Sequence, residues 1–267
     1  YDLIFNELCP HFVSLLTDSN GAYVMKTMMD TMPTEVVCAQ VLTPLAEMPD
    51  VIFELCTSSL HSRRVIQYFV DRCAPTDFHA FIQLCVSRCV DLATSQHGCI
   101  SIQRVLDKAN DEQKTAVFNQ VVPFTGMLSV HPYGNYVIQY MVEHAGRDCT
   151  DQLVGTHMLG QVTAFSCNKF ASNVVEKCLY FATPPMQHLI MEELYQNKST
   201  TELEAMLQDS FGNYIVQASI ALASFQDAWM ISECLKPVLQ HTPYGHKIEA
   251  RLQRRLRGKK VALRTSV

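Results

Sequence analysis

The chain has 267 residues, of which 48% are hydrophobic and 18% charged, enough apolar material for a large buried core. No run of about eighteen apolar residues occurs, so no helix that could cross a bilayer is predicted. Net charge is −5, which argues weakly against a binder driven by nucleic-acid phosphates. Its distribution is more telling. Seven of the 21 Lys and Arg lie from Arg251 onward, leaving 14 against all 26 acidic residues before them, a net of −12. An acidic body with a basic tail would gain RNA affinity from base contacts rather than phosphates. The tail alone reads equally as a solvated helix end. The chain opens on Tyr1 with no charged segment leading into an apolar one. A secretory leader is therefore not expected, and the sequence reads as an excerpt of a longer protein.

From the N-terminus one pattern recurs: a small residue, two variable residues, two aliphatics, then often Gln. It reads GAYVMK (21–26), SRRVIQ (62–67), GCISIQ (98–103), GNYVIQ (134–139), ASNVVE (171–176) and GNYIVQ (212–217), with a degenerate GHKIEA at 245–250. The small residues lie 41, 36, 36, 37, 41 and 33 apart; a period near 36 with long apolar stretches predicts stacked helical units. In the Gly134 unit, Val137, Ile138, Met141 and Val142 fall on one stripe of a helix, and Asn135, Tyr136 and Gln139 on the opposite side. Gly134 sits at the helix start, where a small residue lets backbones approach closely. A second helix precedes each such motif helix, as over Glu112–Val122. Pro123, Pro132, Gly146, Pro184, Pro185, Pro237 and Pro243 punctuate the joints. Strand-like alternation is absent, and the fold class expected is an all-α solenoid.

The polar strip carries the chemistry. Its first and fifth positions are Cys99/Gln103, Asn135/Gln139, Ser172/Glu176 and Asn213/Gln217. These are hydrogen-bonding groups one helical turn apart, spaced to meet the edge of one planar base at two points. Between them stand Ile100, Tyr136, Asn173 and Tyr214; an aromatic ring there would stack on a base for about 1–3 kcal/mol. A carboxylate, as at Glu176, accepts from the two adjacent donors of guanine, whereas Gln both donates and accepts and suits uracil or adenine. A solvated helix face would be rich in Lys, Glu and Asp, and four such strips in succession are not that.

Other chemistry is not supported. The 11 cysteines are scattered without a C-x-x-C pair, so no metal is expected and most should be buried small hydrophobes. The sequon Asn197-Lys198-Ser199 lacks a secretory context. G-x-S-x-G, H-E-x-x-H and Gly-rich phosphate loops are missing, so no enzyme and no cofactor are predicted. Asp18, His97 and His131 lie near motif-helix starts, where capping or packing accounts for them.

Three segments carry a resemblance to a known family. FSCNKFASNVVEKCLY (165–180), HPYGNYVIQYMVEH (131–144) and QDSFGNYIVQ (208–217) resemble Pumilio-type (PUF) repeats, which read RNA one base per repeat. TPYGHKIEARL (242–252) is similar to the family's C-terminal cap, which reads no base. The resemblance implies a right-handed α-solenoid of stacked three-helix repeats forming a crescent. It divides the chain as a single Pumilio homology domain. Repeats fall at about 1–32, 33–73, 74–109, 110–147, 148–184 and 185–224, with the cap and basic tail at 225–267. Only six of the family's usual eight repeats are visible.

RNA runs antiparallel to the protein in this family, so the C-terminal repeat takes the 5′ base. By the family's pairing, Asn213 and Gln217 would take U, with Tyr214 stacking. Ser172 and Glu176 would take G, with Asn173 between. Asn135 and Gln139 would take U beneath Tyr136, and Cys99 and Gln103 would take A beside Ile100. The implied core is 5′-UGUA-3′. Two repeats depart from the rules. Around Ser62, Arg64 could stack and Gln67 could reach an edge, but Arg63 fits no pairing. Around Gly21, Tyr23 could stack, Ala22 could not read, and Lys26 suits a phosphate. The resemblance further implies a cytoplasmic monomer that binds single-stranded messenger RNA in 3′ untranslated regions through its concave face. Regulatory proteins would meet its outer face, giving translational or other post-transcriptional control. The competing reading is a degenerate PUF solenoid kept as a protein-binding scaffold.

Overall fold

The computed structural model describes residues 2–243 and 245–264. Tyr244 of the C-terminal motif, and the side chains of Lys259, Lys260 and Arg264 in the basic tail, lie outside the described part. Among the described residues every regular element is helical, and no helix is long and apolar enough to cross a membrane. The chain divides into two compact units, residues 1–124 and 125–267.

In the first unit helices come in threes, two leading to a motif helix. Asp2–Leu8 and Phe12–Thr17 precede Ser19–Asp30; Thr34–Ala46 and Pro49–Thr57 precede Leu60–Arg72; His79–Ser87 and Cys89–Thr94 precede Gly98–Lys108. Asp111–Val121, expected over Glu112–Val122, closes the unit with the turn Val122–Phe124. Within Thr34–Ala46 the helix widens to a π turn over Cys38–Leu42. Pro44 has no amide hydrogen to continue the α ladder there, and Thr43 Oγ1 bonds the Cys38 carbonyl five residues back at 3.0 Å.

The second unit opens on Thr125–Ser129 and the motif helix Gly134–His144. Arg147–His157 and Val162–Ser166 then lead to Ala171–Phe181, and Pro184–Tyr195 and Thr200–Gln208 lead to Gly212–Leu222. Phe225–Leu235 and a 3-10 turn at Leu239–His241 lead to the last helix, Gly245–Arg264. The basic tail is therefore helical as far as Arg264, in line with its reading as a helix end.

The apolar stripe builds the core as its period requires. Val137, Ile138, Met141 and Val142 are buried, and so are Val174, Val175, Cys178 and Leu179 one repeat on. Each such side chain contributes about 1.5–3 kcal/mol by leaving water. The cysteines follow the same rule: Cys56, Cys73, Cys85, Cys89, Cys99 and Cys178 are buried and free. Burial pushes the Cys178 thiol up to about 12, out of reach of thiolate chemistry. Among the described residues no His, Cys, Asp and Glu cluster could hold a metal; Cys9 lies outside them.

Two features fix where each motif helix begins. The small residue lies against the backbone six residues earlier. A Cβ on Gly98 would stand 2.4 Å from the Leu92 carbonyl oxygen, and one on Gly212 2.7 Å from that of Met206. The residue three before the small one caps the helix. Asp18 Oδ1 accepts from Gly21 N at 2.8 Å, His131 Nδ1 from Gly134 N at 3.1 Å, Asn168 Oδ1 from Ala171 N at 3.0 Å, and Asp209 Oδ1 from Gly212 N at 2.7 Å. Ser59 and Ser95 do the same at 3.1 and 3.2 Å. Asp18 and His131 thus cap as expected. His97 does not: Ser95 takes the role, and His97 packs with its Nδ1 buried and unbonded.

Arginines tie successive motif helices within each unit. Arg72 donates to the carbonyls of Met29, at 2.5 Å, and Met32 at the end of Ser19–Asp30. Arg255 donates to that of Ala223 at 2.7 Å, beyond Gly212–Leu222. Both satisfy orphan helix-end carbonyls.

Candidate nucleic-acid interface

Motif helices pack on their successors. In the first unit Ser19–Asp30 lies on Leu60–Arg72, which lies on Gly98–Lys108. In the second, Gly134–His144, Ala171–Phe181, Gly212–Leu222 and Gly245–Arg264 follow one another. Their polar strips adjoin: Lys26 Nζ stands 5.4 Å from the Tyr68 ring centre, and Arg251 Nη1 lies 2.7 Å from Gln217 Oε1.

The two Asn/Gln strips share one hydrogen-bond pattern. Asn135 Nδ2 donates to the carbonyls of His131 and Pro132 at 2.8 and 3.0 Å, and Gln139 Nε2 donates to Asn135 Oδ1 at 2.9 Å. Asn213 Nδ2 donates to Asp209 and Ser210 at 2.8 and 3.2 Å, and Gln217 Nε2 to Asn213 Oδ1 at 3.1 Å. Two carbonyls can be met only by the NH₂ end of the Asn amide, so its oxygen must face the Gln. The Gln must then offer nitrogen, which leaves one N–H free in each; the oxygen of Gln139 is free among the described residues, and that of Gln217 accepts from Arg251. The sequence placed Asn135 on an exposed strip, but the side chain is only 2% exposed. Folding back onto its own helix start buries it and makes it a support for Gln139. Cys99 and Ser172 are buried as well.

The fifth position is half-buried in all four repeats. With a thiol at Cys99 instead of an amide, Gln103 Nε2 turns to the Cys99 carbonyl at 2.8 Å. Glu176 has no hydrogen-bond or ion-pair partner among the described residues, for the neighbouring Lys177 pairs with Glu143. The middle position is where exposure concentrates. Tyr136 is 54% and Tyr214 64% exposed, against 36% for Ile100; Tyr23 and Asn173 are exposed too.

The two departing strips are occupied otherwise. Gln67 Nε2 is held by Asp71 at 2.6 Å, Ala22 is buried, and Lys26 pairs with Asp30 at 2.9 Å. Arg63 is half-buried near Cys99, and Arg64 is exposed. The sequence reading named Asp18 and His131 but missed the other caps, Ser59, Ser95, Asn168 and Asp209, and the C-terminal helix's reach onto Gln217. The caps recur at the same spacing as the small residues and were detectable by it; the Arg251 contact is a tertiary event with no local signature.

The fold and strip together define a class, an α-solenoid of three-helix repeats. The Pumilio-family RNA binding repeat matches residues 88–122, 126–155 and 161–195. A Pumilio domain-containing protein of Schizosaccharomyces pombe is 29% identical over 93% of this chain and 36% of its own length. Pumilio homology domain family member 4 of Saccharomyces cerevisiae is 31% identical over 72% of the chain and 22% of its own length. The chain thus spans about a third or less of these relatives. Among solved structures, the Puf4 RNA binding domain bound to the HO endonuclease RNA 3′ UTR recognition sequence superposes with a TM-score of 0.76. It is 28% identical, over 91% of this chain and 77% of that one. The chain belongs to the Pumilio family of PUF-repeat proteins, a family of binding repeats rather than enzymes.

Proposed function

We propose that the chain binds single-stranded RNA by one-base-per-repeat recognition, with core 5′-UGUA-3′ in messenger-RNA 3′ untranslated regions. Its regulatory role is post-transcriptional and cytoplasmic. The observation that carries the reading is the matched state of the strips. Gln139 and Gln217 are each presented by the same Asn scaffold, with an N–H and an oxygen side by side for uracil's O4 and N3–H. Glu176 is an unneutralised carboxylate beside them, suited to the N1–H and N2–H₂ of guanine. Exposed Tyr136 and Tyr214 offer stacking faces. The similarity to an RNA-bound PUF domain supports the same reading.

Selection of bound sequences from a random RNA pool tests it. Enrichment of UGUA is expected, while a flat profile would favour the scaffold reading. That alternative draws on the Gly21 and Ser62 repeats, where Gln67 and Lys26 are already tied to Asp71 and Asp30. We assign these two repeats little base choice, so bases 3′ of the core should be weakly selected.

A further inference from the structure

We infer that Arg251, on the C-terminal helix that itself meets no base, locks the orientation of the Gln217 amide and thereby sharpens the choice of uracil over cytosine at the 5′ base. This rests on the assignment of Asn213 and Gln217 to that base.

The Gln217 amide is held at both ends. Its nitrogen donates to Asn213 Oδ1 at 3.1 Å, and its oxygen accepts from Arg251 Nη1 at 2.7 Å. Asn213 cannot itself turn over, because its NH₂ group is committed to the Asp209 and Ser210 carbonyls. Flipping Gln217 would set oxygen against the Asn213 oxygen and N–H groups against a guanidinium. Both bonds would be lost and both contacts would turn repulsive. Gln139 has only the first restraint: it donates to Asn135, and among the described residues nothing holds its oxygen.

The flip matters because of what the two pyrimidines present. Uracil offers N3–H and O4; cytosine offers N3 and N4–H₂ at the same places, with donor and acceptor exchanged. An amide that matches one matches the other when turned over. A Gln free to flip at modest cost is therefore a lenient reader of pyrimidines, and one pinned at both ends is strict. Arg251 also stands with Asn213, Tyr214, Gln217 and Arg254 around a groove of about 740 Å³ between the last two motif helices. Its contact thus falls at the base site itself.

The test compares binding to RNAs carrying UGUA, CGUA and UGCA, with the unaltered chain and with Arg251→Met and Arg251→Lys. Arg251 is exposed, so neither change should disturb the fold, and circular dichroism verifies it. The unaltered chain should reject C more strongly at the first base than at the third. Arg251→Met should cut rejection at the first base about tenfold, the loss of one charge-assisted hydrogen bond, and leave the third base alone. Arg251→Lys should restore part of it. Unchanged rejection in Arg251→Met, or equal weakening on all three RNAs, overturns the inference while base reading stands. If the unaltered chain itself fails to prefer UGUA, the base assignment falls, and this inference with it.

Discussion

Glu176 stands on its helix with a carboxylate that no cation pairs and no amide bonds among the described residues, while the lysine beside it is committed to Glu143. Such a group needs two donors, and guanine's Watson–Crick edge is the base edge that supplies them side by side. Glu176→Gln keeps shape but trades one acceptor for a donor, which then faces a guanine N–H. Binding to a UGUA RNA should weaken by about 1–3 kcal/mol, and selection at the second base should relax. An unchanged dissociation constant would remove Glu176 from the site. The stacking positions make a paired prediction. Tyr136→Ala should cost about 1–3 kcal/mol of binding. Ile100→Tyr supplies a ring where the proposed adenine site has only an aliphatic chain, and should tighten binding to UGUA; the two changes should leave thermal unfolding nearly untouched. Both strips were legible in sequence because a turn spacing of four is a local property. The burial of Asn135 was not, since it depends on where the carbonyls of His131 and Pro132 point once the preceding turn is closed.

Helix starts are decided by a pair of residues three apart, a capping side chain and a residue small enough for backbone contact. The apolar period announced the motif helices, and the small residue marked where each begins to within two residues. What periodicity could not show is how close the backbones come. Gly98→Ala would drive a methyl to 2.4 Å from the Leu92 carbonyl oxygen, and no flexible side chain can yield there. Destabilisation at least equal to an overpacked core substitution, about 1–3 kcal/mol, should follow in chemical denaturation. Asn168→Ala strips the cap from Ala171–Phe181 and should cost about 1 kcal/mol. Acid should act on the Asp18 cap. Hydrogen bonds led by that from the Gly21 N–H hold the Asp18 carboxyl below the usual carboxylate range. Its contribution is therefore complete above pH of about 4 and lost as pH falls through the lowered value. Asp18→Asn, which still caps but cannot be protonated, should show a shallower loss of stability in that acid window than the unaltered chain; parallel curves would reject the role.

At the scale of the whole molecule, a body of net −12 before Arg251 would bind a polyanion against its own field. The cations on the motif helices do little to offset this. Lys26 is paired with Asp30, Arg104 with Asp107 and Lys177 with Glu143. Among the described residues Arg63 and Arg64 on the strips, and Arg254 at the groove beside Gln217, carry no ion pair. Binding must then come from base edges and stacking, terms that salt screens weakly, rather than from counterion release. Each phosphate neutralised on a single strand contributes a slope of about −0.7 to log K against log salt. Three such contacts predict a total of about −2, so affinity for a UGUA RNA should change little across moderate salt. Sequence preference should persist where a phosphate-driven binder has released its RNA. A slope of about −5 or steeper would mean that seven or so phosphates are held, more cations than the strips leave free, and would move the RNA path off these helices.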